Sequence, residues 1–121
     1  PFDLDALLMQ LIGSLREAFG RMGAEPGHLK VIGLHDGSFG VANLVSSGAQ
    51  PELSLPSRGR VAEAEVIVNA RVAADPASIE AEVRRALAEV AAEFGATAEV
   101  RSLQSFRPGR PTPTHRYAQA K

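Results

Sequence analysis

Arg107, Arg110, His115 and Arg116 are the densest group of side chains with binding chemistry in this sequence. They stand in the run Ser105-Phe106-Arg107-Pro108-Gly109-Arg110-Pro111-Thr112-Pro113-Thr114-His115-Arg116-Tyr117. Guanidinium groups present fixed forks of N–H donors to phosphate or carboxylate. A histidine flanked by Arg110 and Arg116 suits an anion better than a cation. Pro108, Pro111 and Pro113 forbid a helix or an inner strand and favour an extended, polyproline-like path. Phe106 and Tyr117 stand near its two ends as anchors. The run therefore predicts a contact strip for a protein partner or a phosphate-bearing ligand.

Other chemistries find less in the residues. A phosphate-cradling loop needs G-x-x-x-x-G-K-[ST], and the chain has no such run. Gly33, Gly37 and Gly40 lie between two expected strands, where a hairpin explains them. His28 and His35 stand seven residues apart, roughly 23 Å on an extended chain, so they cannot share a metal ion. No serine sits in a G-x-S-x-G elbow, and Pro1 leads into a helix rather than a strand, so its amine is not placed as a base. Without cysteine, thiolate nucleophiles, disulfides and thiolate zinc sites are excluded. No catalytic residue, metal or cofactor is expected on this chain. Nucleic-acid binding would draw on the arginines, with Phe106 or Tyr117 stacking a base. The acidic body of the chain and a pI of about 6.4 argue against it.

These residues sit on a chain of 121, enough for one domain with its own core. A hydrophobic share of 45%, a charged share of 22% and a mean hydropathy of −0.04 describe an ordinary globular composition. No apolar run approaches the roughly 20 residues of a bilayer span, and no leader-like segment opens the chain. A cytoplasmic protein is expected. Charge is segregated: after Glu99 no acid occurs, whereas Arg101, Arg107, Arg110, Arg116 and Lys121 follow. Residues 1–104 are expected to form the domain and 105–121 a proline- and arginine-rich tail.

Within the domain, Leu4, Leu8, Leu11, Leu15, Ala18 and Met22 recur at helical spacing, widened by Leu7, Ile12 and Phe19. Asp3 caps this helix and Gly23 stops it. Gly13 and Gly20 weaken it, which points to close packing there. His28 to Leu34 and Ser38 to Ser46 read as a hairpin turning at Asp36-Gly37. A polar excursion over 47–60 holds a short edge strand at Glu52 to Leu55. Glu63 to Ala73 alternates, with Ala64, Val66, Val68, Ala70 and Val72 on one side and Glu63, Glu65, Asn69 and Arg71 on the other. Asp75-Pro76 opens a second helix that ends at Gly95 and pairs Glu80 with Arg84. Thr97 to Leu103 is expected as a last strand, parallel to the third through a right-handed crossover. The predicted architecture is α+β: a two-layer sandwich of a four-stranded mixed sheet with two helices on one face. The polar side of the third strand is expected to be wet, or covered by a partner.

His28-Leu29-Lys30-Val31 with Leu44-Val45-Ser46-Ser47, and the closing Phe106 to Arg116, resemble the C-terminal region of CobW-type P-loop GTPases. The likeness covers roughly residues 28–117. That family handles metals or assists metallo- and corrinoid-cofactor enzymes, and its GTPase half carries the Walker loop and cysteine-rich motif that this chain does not. The resemblance implies a non-catalytic accessory domain that docks a protein partner or the neighbouring GTPase domain. Arg107, Arg110, His115 and Arg116, beyond the expected last strand, are the candidate contact residues. The alternatives are a small domain binding a phosphorylated ligand or nucleic acid through its basic tail, and an oligomerisation module.

Overall fold

The computed structural model describes residues 1–24, 26–45, 49–99 and 115–120. The chain enters through β1 (Phe2–Asp3), and Asp3 then accepts a hydrogen bond from the Ala6 amide at the head of α1 (Leu4–Arg21). Such a cap satisfies one of the amides that the first turn leaves without a partner. Leu4, Leu7, Leu8, Leu11, Ile12, Leu15, Ala18 and Phe19 are buried along α1. Each fully buried leucine stabilises the fold by on the order of 2 kcal/mol. Gly23, at φ 72°, ends the helix; its amide bonds Gly20 and the Ala24 amide bonds Phe19, a paired closure that occupies free carbonyls.

Next come β2 (Pro26–His35) and β3 (Ser38–Leu44), joined by the predicted two-residue turn with Asp36 and Gly37 both at positive φ. β4 (Glu52–Leu55) pairs with β3, while β5 (Arg60–Val61) pairs with β1 in a separate two-stranded ribbon. β6 (Ala64–Val72) lies on the other side of β2, and α2 (Pro76–Glu93) follows, capped by Asp75 and closed at Gly95. β7 (His115–Ala120) pairs with β6, and the described strands of the sheet run in the order β4-β3-β2-β6-β7. The α+β two-layer sandwich is therefore present. α1 and α2 share one core with the inward residues Leu29, Val31, Ala42, Leu44, Ala64, Val66 and Val68.

The sheet differs from expectation in its membership and direction. Among the described residues it has five strands rather than four, and every pairing between them is antiparallel rather than mixed. Residues 97–99 form no strand. The neighbour of β6 instead comes from 115–120, within the stretch expected as a tail. That strand begins two residues after Pro113, where the backbone regains the uninterrupted donors a ladder needs. Residues 100–103 of the expected strand lie outside the described residues. On α2 the ion pairs centre on Arg85, which reaches Glu82 and Glu89, instead of joining Glu80 to Arg84.

The glycines also trade places. Nothing approaches within 4 Å of a Cβ built at Gly13 or Gly20, so neither marks a close contact. The cross-strand pair Gly33 and Gly40 does. A Cβ on Gly33 would stand 2.9 Å from Leu4 Cδ1, and one on Gly40 would stand 2.8 Å from Asp5 Oδ1. These two residues let the first turn of α1 sit directly on the hairpin. Asp5 is held there from above, accepting hydrogen bonds of 2.8 Å from the amides of both Ser57 and Arg58. Leu4 donates to Gly59 in the same bend, and Arg58 adopts φ 59°. The long excursion is thus clamped onto the start of α1.

Partial burial pushes the Asp5 carboxyl up, but the Ser57 and Arg58 amides, the Ser57 hydroxyl and the Arg58 charge together bring it below the usual carboxylate range. A group with a lowered folded pKa stabilises above its unfolded pKa, and that contribution is lost as pH falls through the folded value. Asp5→Asn should lower stability at neutral pH by about 2 kcal/mol, and urea titrations should show it less acid-sensitive than the parent. Gly40→Ala is expected to destabilise by about 1–3 kcal/mol through overpacking, whereas Gly13→Ala should stabilise by up to about 1 kcal/mol in thermal unfolding.

Candidate functional site

Alternation along β2 fixes two faces. Leu29, Val31 and Gly33 meet the helices, which turns His28, Lys30, Ile32 and Leu34 to the opposite side. The antiparallel register extends each of these outward positions into a row. Ile32 stands between Val41 and Ile67, and Leu34 between Phe39 and Glu65. Lys30 stands between Asn43 and Asn69, and His28 opposite Arg71. β4 adds Leu55 beside Val41 and Glu52 beside Asn43. Among the described residues, no helix or strand lies across this face.

Across β4, β3, β2 and β6 its central row is apolar, and its ends are not. Phe39 is 46% exposed and Leu55 42%, while Ile67, flanked within the row, is only 7% exposed. Cross-strand packing of Ile32, Val41 and Ile67 makes a continuous patch rather than scattered surface side chains. At the hairpin end, a shallow depression is lined by Leu34, His35, Asp36, Glu63 and Glu65. His35 Nε2 lies 3.3 Å from Asp36 Oδ2 there. At the far end stand Lys30, His28 and Arg71.

Two amides mark the border between patch and cationic end. Asn43 Oδ1 and Asn69 Oδ1 are both shut off from solvent without a hydrogen-bond partner. They flank Lys30 in the same row. A buried carbonyl left unpaired costs about 1–3 kcal/mol. Two of them, at matching positions on the strands either side of β2, are a cost that this face carries for the domain by itself.

The candidate residues from the sequence fall differently. Arg107 and Arg110 lie outside the described residues. His115 and Arg116 stand in β7, opposite Val68 and Ile67 respectively. Arg116 is therefore not beyond the last strand, and its strand borders the open face next to β6. His28 and His35 stand near opposite ends of β2. Among the described residues, no three His, Asp or Glu side chains are grouped to hold a metal ion, and no helix is long and apolar enough to cross a membrane. The apolar centre of the open face was not singled out from the sequence. Its signal is the unbroken pair Val31-Ile32 with Phe39 and Val41, apolar on both sides of the hairpin.

No family model matches the chain, and no curated protein or solved structure is significantly similar to it. The CobW likeness thus rests on the quoted residues alone. Asn43→Val and Asn69→Val each remove an unpaired buried carbonyl. Each is expected to raise the unfolding free energy by about 1–2 kcal/mol in denaturant titrations.

Proposed function

We propose that this chain is a non-catalytic accessory domain that docks onto protein through the open face of its sheet. The observation that carries this is the apolar row of Ile32, Val41 and Ile67, across which no described helix or strand lies, extended by exposed Phe39 and Leu55. Contiguous apolar surface rimmed by polar groups is the usual make-up of a protein interface. The unpaired Asn43 and Asn69 carbonyls support the same role, because stability given up on one face is a common trade for function. A neighbouring domain of a CobW-type GTPase is one such protein surface. The domain acts in the cytoplasm in this proposal.

The alternative is a phosphorylated ligand or nucleic acid held by Arg107, Arg110, His115 and Arg116. The absence of any acid after Glu99 favours it. Binding of that kind weakens steeply with salt, whereas docking on an apolar patch does not.

A photo-crosslinking residue placed at Phe39, and in a second variant at exposed Ala88 on α2, tests the docking role in the native cell. Discrete protein adducts from position 39 and none from position 88 are expected. Equal adducts from both, or none from either, overturn the proposal.

A further inference from the structure

Between Ala49 and Val61 the chain leaves the core and returns to it. Ala49 packs against the core and Val61 is buried in it, but no residue from Glu52 to Arg60 is buried. This stretch adds little hydrophobic stabilisation, so hydrogen bonds hold it in place. Its bonds to other described residues go to two places. β4 pairs with β3 at three positions broken by a bulge, and Ser54 Oγ donates to the Val41 carbonyl. The rest go to the first five residues. Asp5 accepts from the Ser57 and Arg58 amides, and the Gly59 carbonyl accepts from the Leu4 amide. Arg60 pairs with Asp3, and its guanidinium donates to the Pro1 carbonyl at 3.0 Å.

Neither set is strong alone. Two-stranded ribbons are marginal in water, and the β1–β5 ribbon has only two register pairs. β4 is a four-residue strand whose side chains are exposed except for half-buried Leu53. The Asp5 carboxylate grips the bend that joins the two. Arg58 in that bend adopts φ 59°, a left-handed conformation that disfavours a residue with a side chain. The strain acts to open the bend, and the two amide bonds to Asp5 act against it.

We infer that residues 52–60 are a strap that opens as one unit, with Ala49 and Val61 as its fixed ends and the Asp5 carboxylate as its latch. Opening carries Leu55 away from its place beside Val41 in the apolar row. It also bares the outer edge of β3, whose freed backbone groups can accept another strand. The closed strap completes the docking face, and the open strap dismantles its edge. That consequence rests on the docking role proposed above; the opening does not.

Hydrogen exchange of the folded chain in rising, sub-denaturing urea tests it. The protected amides of β4 and those of Ser57 and Arg58 should share one opening free energy. Their urea dependence should be shallower than that of the β2 and β6 amides, because little surface is exposed. Asp5→Asn should speed exchange throughout the strap by at least about tenfold, with β2 and β6 still protected. Exchange of the strap only together with β2 and β6 overturns the inference. So does a β4 that stays protected while Ser57 and Arg58 exchange, or a strap indifferent to Asp5→Asn. An Asp5→Asn chain that loses protection in β2 and β6 as well overturns it too. None of these readouts needs a partner. A failed crosslink from position 39 therefore overturns the docking role and leaves the strap standing.

Discussion

The contact on which the structure turns is the seating of the first turn of α1 on the glycine pair of the β2–β3 hairpin. Helices and sheets ordinarily pack with side chains between them. At Gly33 and Gly40 the sheet contributes no side chain, so Leu4, Leu8 and Asp5 descend into the gap. That depth brings the Asp5 carboxylate within reach of the Ser57 and Arg58 amides. The same contact therefore places the helix, bends the excursion after β4 and sets β5 beside β1. The edge of the open face inherits its position from this anchor, since β4 is the strand from which the clamped bend departs.

The local signals of the sequence proved dependable where a single residue decides the geometry. Asp3, Gly23, Asp75-Pro76 and Gly95 bound the two helices because caps and left-handed turns act over four or five residues. Asp36-Gly37 turns the hairpin for the same reason. What sequence pattern could not supply was adjacency. Period-two alternation says which side of a strand is apolar but not which strand lies next to it. The stretch from Thr97 accordingly looked like the neighbour of β6, a place that His115–Ala120 occupies in the opposite direction. Glycine was legible as a residue without a side chain, not as a residue with something above it. Gly13 and Gly20 thus drew the expectation that belonged to Gly33 and Gly40.

The open face was half legible. Glu63, Glu65, Asn69 and Arg71 announced a wetter side to β6, and the possibility of a partner over it. The apolar row was not visible as a row, because Ile32, Val41 and Ile67 come from three strands whose register only the pairing defines. The tail arginines attracted attention through their density. Among the described residues, however, the side chains without compensation are two asparagine carbonyls on the sheet. Composition points to charge; burial without a partner points to cost, and cost is visible only in three dimensions.

The place of β7 in the sheet has a consequence for synthesis on the ribosome. β6 is finished at Val72, yet the strand that covers its outer edge does not begin until His115. At cellular translation rates that interval lasts on the order of several seconds. Throughout it, the Val66-Ile67-Val68 stretch of the nascent chain presents a row of unpaired backbone donors and acceptors, the kind of edge that recruits strands from other molecules. The charged residues Glu63, Glu65 and Arg71 bracket that stretch along the chain, and charge beside an open edge is what discourages such pairing.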